Sequence, residues 1–248
     1  MTPMVIALLL LIPAVQTTVV HWTSSLASRQ LQTEVYIESI YLKPFSELSL
    51  NGVLVRDLND DTLLYAANLE AELLSFQSEP LSFELGEVAL NSAYFNLYRS
   101  AEDSLLNLDF ILEAFASEDT TSGGDFALFA SNVSLTNARF QYHDYLLPVD
   151  SSDQIDWSHI GISELNTSIS DIFIKNANVH ATVDSLRLLE QSGFRIHQFF
   201  GDATVTDTLI QVNSMKIESG ETSVYGSYAM HCDSWSSYAD FIDAVELS

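Results

Sequence analysis

From Val88 to Tyr98 the chain reads VALNSAYFNLY, and from Val133 to His143 it reads VSLTNARFQYH. The polar residues of the two stretches hardly agree, but the apolar positions do. Val88 and Leu90 are followed by a two-residue polar break and then by Ala93, Phe95 and Leu97; Val133 and Leu135 are followed by a break and then by Ala138, Phe140 and Tyr142. Two more copies fit the template: Leu48, Leu50, Val53 and Val55 around Asn51-Gly52, and Ile172, Ile174, Ala177, Val179 and Ala181 around Lys175-Asn176. The copies begin 40, 45 and 39 residues apart. Alternation of period two on both sides of a break describes a strand with one buried face. The break shifts the phase by one residue, as a β-bulge does, and so keeps the apolar side chains on the same face. Asn51-Gly52, Asn137 and Asn176 sit in three of the breaks and tolerate the positive φ that such a bend needs.

Self-similarity near forty residues marks stacked units that cannot bury an apolar face alone. Further strand-like runs lie between and after the copies, at Asp61–Phe76, Asp202–Ser219 and Thr222–Asp233. The expected architecture is mainly β: an elongated, curved antiparallel repeat sheet shaped like a groove or taco. A closed β-sandwich is the alternative, but it more often turns every 8 to 12 residues without a repeated motif. Three segments read as short amphipathic helices: His21–Gln32; Leu105–Ser117, with Leu108, Ile111, Leu112 and Phe115 at helical spacing; and Asp233–Leu247, with Trp235, Tyr238, Ile242 and Val245. Residues 117–125, SEDTTSGGD, read as a polar linker between a first β unit over 34–116 and a second over 126–248.

The first 20 residues carry a different pattern. Pro3 to Val20 gives 18 uncharged positions, and no charged residue precedes Arg29. That is close to the roughly 20 residues that cross a bilayer. Val5, Ile6, Leu8, Leu9, Leu10, Leu11, Ile12 and Val15 would form its lipid-facing body, with Trp22 at the interface. A cleaved signal peptide is the other reading. The stretch has neither the basic segment before it nor the small-residue cleavage site after it that such a peptide carries, which favours an uncleaved transmembrane anchor over 1–20 followed by a juxtamembrane helix over 21–33.

Composition narrows the function classes. With 34 Asp and Glu against 9 Lys and Arg the formal charge is −25, spread along the chain. That argues against a nucleic-acid partner, which needs clustered cations. Cys232 is the only cysteine, so neither an internal disulfide nor a cysteine zinc site is expected. Catalytic chemistry is equally thin. Asp57, Asn59 and Asp61 occupy the first, third and fifth places of a calcium loop, but Thr62 stands where Gly is wanted and Asn68 where a bidentate Glu is wanted, so the segment reads as a hairpin turn. The six histidines are scattered without metal-ligand spacing, and GISEL lacks the second Gly of a nucleophile elbow. The sequons at Asn132 and Asn166 read as accidental. No catalytic residue, metal or cofactor is expected; an acidic hydrolase remains the weakest alternative.

Taken in order, IPAVQT, TEVYIESI, LSLNGVLVRDLNDDTLLYAANLEAEL, EVALNSAYFNLYRS, LNLDFILEAF, VSLTNARFQYHD and DSWSSYADFIDAVEL resemble the AsmA-like superfamily, in particular the N-terminal part of translocation and assembly module subunit TamB of the Bacteroidetes type. Family members carry a basic N-terminal flank that this chain lacks, and they are longer, which implies that these residues are an N-terminal part. The resemblance implies a single-pass protein of the bacterial inner membrane with its bulk in the periplasm. It implies a partner in phospholipid acyl chains and another in an outer-membrane barrel of the TamA or BamA type. The function expected is a bridge for phospholipid transport between inner and outer membranes, with a role in envelope biogenesis. The alternative is a scaffold for outer-membrane protein assembly or secretion that carries no lipid. On the repeat pattern the lipid groove would be lined by Val88, Leu90, Phe95, Leu97, Val133, Leu135, Phe140, Ile172, Ile174 and Val179, residues that would equally suit a closed core. Each CH2 moved out of water is worth about 0.8 kcal/mol, so an open apolar face suffices to hold acyl chains.

Overall fold

The computed structural model describes Ser28 and residues 33–42, 47–78, 81–102, 105–111, 127–150, 154–175 and 178–231. Ten strands follow one another: β1 Val35–Leu42, β2 Glu47–Arg56, β3 Thr62–Ser78, β4 Leu81–Arg99, β5 Ala127–Asp144, β6 His159–Lys175, β7 Asn178–Glu190, β8 Arg195–Val205, β9 Leu209–Ser219 and β10 Thr222–His231. They form one sheet in sequence order, curved and unclosed, from β1 at one edge to β10 at the other. The substantial contacts between elements all join sequential neighbours, so among the described residues no second layer lies on the sheet. At about 3.3 Å per residue the 19-residue β4 is roughly 60 Å long.

Eight of the nine joints are antiparallel, as the repeat reading expects. The exception is β4 to β5, which run parallel. Every rung of that joint is offset by 45, from Ser82 beside Ala127 to Arg99 beside Asp144. The offset equals the spacing of the two best repeat copies, so Val88 lies beside Val133, Leu90 beside Leu135 and Phe95 beside Phe140. Parallel neighbours need a long crossover, which residues 100–126 supply. The expected linker over 117–125 lies outside the described residues, and the strands on either side of it share one sheet.

Residues paired directly across two strands point to the same face, so a phase break in one strand forces one in its neighbour. The breaks accordingly line up. Gly52, Ser92 and Asn137 have φ of 58°, 51° and 52°, and they sit at one level of β2, β4 and β5. Positive φ was expected at Asn51-Gly52 and Asn137; in the first pair it is Gly52 that takes it. A Cβ at Gly52 would stand 2.7 Å from Glu38 Oε2 and 2.8 Å from Glu38 Cβ, so the position excludes a side chain by space as well as by dihedral. Asn51 has another task. Its Nδ2 donates to Ser39 Oγ at 3.0 Å, Asn68 Nδ2 donates to Asn51 Oδ1 at 3.1 Å, and Asn91 Nδ2 donates to Asn68 Oδ1 at 3.2 Å. This amide ladder crosses β1 to β4 on the face opposite the apolar one and fixes the level at which the strands break phase.

The fourth repeat copy is corrected. It is a hairpin rather than a bulged strand: β6 ends at Lys175, β7 starts at Asn178, and Ile174 pairs with Val179 across the turn. The phase breaks of β6 lie instead at Glu164 and Asp171, each with φ of 51°. Of the three expected helices, the middle one is described only up to Ile111, with Asp109–Ile111 helical. The N-terminal helix (apart from Ser28), the C-terminal helix and the anchor over 1–20 lie outside the described residues; among those described, no helix is long and apolar enough to cross a membrane.

Asn68 both donates to Asn51 and accepts from Asn91, so Asn68→Ala should break two rungs of the ladder and lower stability by about 1–3 kcal/mol. The expected readout is a lower urea midpoint at unchanged slope; an unchanged midpoint would show that the ladder does not hold the register.

Candidate functional site: an uncovered apolar sheet face

The phase breaks gather most of the aliphatic residues of the ten strands on one face, while a row of Tyr36, Leu54, Tyr65 and Tyr94 and the pair Phe129 and Phe173 lie on the other. One cross-strand row runs Leu48, Ala71, Val88, Val133, Ile169 and Val183. The next runs Leu50, Leu69, Leu90 and Leu135, passes Thr167, and continues through Leu186, Phe199, Ile217 and Val224. Beyond the breaks lie a row of small residues, Val53, Ala66, Ala93 and Ala138, and a row of large ones, Val55, Leu64, Phe95, Phe140 and Ile162. At the far end of the strands a further row joins Phe76, Phe83, Leu128, Ile174, Val179, Val205, Ile210 and Met230. The opposite face carries Ser49, Asn51, Asn68, Asn91, Asn132, Ser168 and Thr182, with their side chains hydrogen-bonded across strands.

Burial separates the rows. Ala66 and Ala138 are 0 % exposed and Ala93 1 %, because the larger rows on either side, with Leu50, Leu69, Leu90, Phe95, Leu135 and Leu165, pack over them. All ten residues expected to line a groove (Val88, Leu90, Phe95, Leu97, Val133, Leu135, Phe140, Ile172, Ile174 and Val179) lie on this face and are half-buried. A side chain left partly exposed forgoes part of the about 1.5–3 kcal/mol that full burial gives. A surface of that kind marks a site where something apolar binds. The ten expected groove residues lie on β4 to β7, and the sequence reading missed that β1 to β3 and β8 to β10 add to the face. Period-two alternation was the available signal, hidden in β6, β8 and β9 by phase breaks.

Two open hollows lie elsewhere. One of about 540 Å3 lies on the polar face, with Ser134, Thr136, Ser168, Ser185 and Arg187 in its wall. A second of about 460 Å3 adjoins it at Glu164, Arg187 and Arg195, where Arg195 Nη1 meets Glu164 Oε2 at 2.7 Å. Among the described residues no group of His, Cys, Asp or Glu is placed to hold a metal.

One end of the sheet is tied together by buried polar groups. The segment Asp57–Asp61 is a hairpin turn, as expected: Asp57 N donates to Asp61 O at 2.8 Å, and Asp60 takes φ of 68°. The Asp57 carboxylate, 2 % exposed, accepts from Asn59 N, Asp61 N and Asn107 Nδ2 at 2.9–3.0 Å. Asn107 also accepts from Tyr98 N at 3.0 Å, and Asn59 Nδ2 donates to the Tyr98 hydroxyl at 2.9 Å. Burial, helped by the Asp57 carboxylate, pushes the Tyr98 phenol up to about 12. Alongside, Arg99 Nη1 pairs with Asp144 at 3.3 Å, and His159 Nδ1 meets Asp156 Oδ2 at 3.0 Å. His143 is held below its usual range by burial and by the His159 ring 5.7 Å away. Backbone amides of Asp150 and Ser158, with His159, hold the Asp156 carboxyl below its usual range. A hollow of about 140 Å3 lies against this network, with Asp57, Asn59, Tyr98, Ser100 and Asn107 in its wall.

The fold and its face therefore define a class: a single-layer β-sheet with a broad aliphatic and aromatic face that is uncovered among the described residues. No family model matches the chain, and no curated protein matches it.

Tyr98 supplies a pH test. Its phenol is raised in the folded state, so the native form holds its proton while an unfolded tyrosine begins to lose it near pH 10. The contribution of Tyr98 is complete below pH 10 and is lost as pH rises from about 10 to about 12. Urea midpoints should fall across that window, and less steeply in Tyr98→Phe; equal slopes would mean that the phenol titrates freely.

Proposed function

We propose that this chain is a membrane-anchored part of a bridge that carries phospholipid acyl chains along the apolar face of its sheet, between the inner and outer membranes of a bacterial envelope, in the manner of AsmA-like and TamB proteins. The observation that carries this reading is the uncovered face, whose ten groove residues stay partly exposed while the small-residue row between them is sealed. Acyl chains are the apolar partner that fits such a face best. They need no hydrogen-bond donors, and the face offers none, since its side chains are aliphatic or aromatic over most of four strand-crossing rows. They are also long and flexible, which suits a surface about 60 Å long rather than a closed pocket. Passage along such a face calls for no bond making or breaking.

A scaffold for outer-membrane protein assembly is the second reading, and β10 favours it. Thr222 to Ala229 are exposed on both faces and carry no charge, which leaves an edge open to strand addition. Bound lipid separates the two readings.

Native mass spectrometry with lipid extraction, on the full chain purified in detergent, should find co-purified phospholipid. Phe95→Asp with Phe140→Asp should abolish it while the far-UV spectrum stays that of a β protein, because both carboxylates would lie in the middle of the apolar face. Thr136→Asp, exposed on the polar face, should leave the lipid in place. Lipid retained by the double variant, or absent from a folded wild-type chain, would move the choice to the scaffold.

A further inference from the structure

Large apolar side chains cluster at one end of the sheet, outside the face described above. Leu58 in the β2–β3 turn is 63 % exposed. In the connection between β5 and β6, Tyr145, Leu146, Leu147, Val149 and Trp157 are 45–69 % exposed. Hydrogen bonds and a ring contact tie the start of the connection to the strands. Leu146 N donates to Asp144 Oδ1 at 3.0 Å, Tyr145 N to Arg99 O at 3.2 Å, and the Tyr145 ring meets Tyr98 edge-on at 5.5 Å. Tyr98 is in turn bonded to Asn59 of the β2–β3 turn, which places Leu58 on the same end.

The N-terminal part of the chain enters the sheet at this end too. Thr33 Oγ1 donates to the carbonyls of Arg56 and Asp57 at 3.0 and 3.1 Å, and Val35 N donates to Ser28 Oγ at 2.8 Å. Eight peptide units join Ser28 to Val20, the last residue of the uncharged apolar stretch, and their covalent reach is at most about 29 Å. The opposite end of the sheet is roughly 60 Å away along β4. A membrane that holds residues 3–20 is therefore held within about 29 Å of this end, a constraint the opposite end does not share.

We propose that this end docks on the bilayer that holds the N-terminal stretch, with Leu58, Tyr145, Leu146, Leu147, Val149 and Trp157 seated in its interface. Exposed Trp and Tyr among aliphatic residues suit the headgroup boundary, where one part of the ring is apolar and the other wet. The row Val55, Leu64, Phe95, Phe140 and Ile162 lies next to this end, so docking brings the apolar face close to the acyl region. The charge around the patch selects the lipid. Asp60, Asp61 and Glu102 are exposed beside it, and Arg56 and Arg99 are taken up by Glu34, Asp60 and Asp144. The surface thus favours zwitterionic headgroups and is repelled by anionic ones.

The inference rests on the reading of residues 3–20 as an anchor, so the experiment reports on both. In a Cys232→Ser background of the full chain, single substitutions Leu10→Cys, Val149→Cys, Trp157→Cys and Asp207→Cys would each carry an environment-sensitive fluorophore. The proteins would be reconstituted in phosphatidylcholine vesicles containing a nitroxide lipid. Asp207 is exposed in the β8–β9 turn at the opposite end. Quenching and a blue shift at positions 10, 149 and 157, with neither at 207, is the expected result. Partial replacement by phosphatidylglycerol should reduce quenching at 149 and 157 at low salt, and added salt should restore it. Quenching at 10 alone would overturn the docking proposal and leave the anchor standing. No quenching at 10 would overturn the anchor and the docking with it, and quenching at 207 rather than 149 would reverse the orientation.

Discussion

Residues that face each other across a strand pair must point to the same side of the sheet, and the rest of this structure depends on that constraint. A single-layer sheet with one apolar face has no second layer to correct an error of phase. A strand one residue out of step would turn its Leu and Phe residues to water and its Asn and Ser residues to the apolar side. The chain meets the constraint by breaking phase at one level in successive strands, through Gly52, Ser92 and Asn137, and by holding that level with the Ser39, Asn51, Asn68, Asn91 ladder on the polar face. The parallel joint obeys it most simply, because two copies of one pattern placed side by side at an offset of 45 are in phase over their whole length.

That arrangement limits how much apolar surface the sheet can bury by itself. Full burial is confined to the small-residue row and to Val35, Ile37, Ile40, Leu63, Tyr98 and Ala130. The large side chains stay partly exposed, so backbone ladders and cross-strand contacts carry a greater share of the stability than in a two-layer domain. The same geometry makes the face available. A second sheet laid over it would convert Phe95 and Phe140 from a surface into a core, and their chemistry would then be used up in packing.

The two ends of the sheet differ in kind. One is closed by a network through Asp57, Asn59, Asn107 and Tyr98 and by the ion pair of Arg99 with Asp144; it receives the N-terminal part of the chain and displays apolar side chains outward. The other consists of hairpins such as Ile174 to Val179, with the row from Phe76 to Met230 running across it. The edges differ as well. β1 has Val35, Ile37 and Ile40 buried, whereas β10 is exposed along nearly its whole length. A sheet with distinct ends and distinct edges has a direction, which a conduit or a docking scaffold requires and a symmetric core does not.

Most of the strands and the one-sided character of the sheet were legible in the sequence, because period-two alternation with a repeated break is a local property that pleat geometry alone converts into a face. The hairpin at Asp57–Asp61 was legible for the same reason, since its turn residues act within five positions. The parallel joint was not. Copies 45 residues apart look alike whether they stack side by side or lie at opposite ends of an antiparallel meander, and only the path of residues 100–126 decides between them. The fourth copy was misread because Lys175-Asn176 suits a hairpin as well as a bulge, and pairing partners, not spelling, choose. The sequence by itself determined which residues are apolar, at what period, and where the period slips. The tertiary structure decided which slips align, which row is sealed, and that the large side chains stay open to solvent, because burial depends on what lies across the sheet and no local pattern contains that.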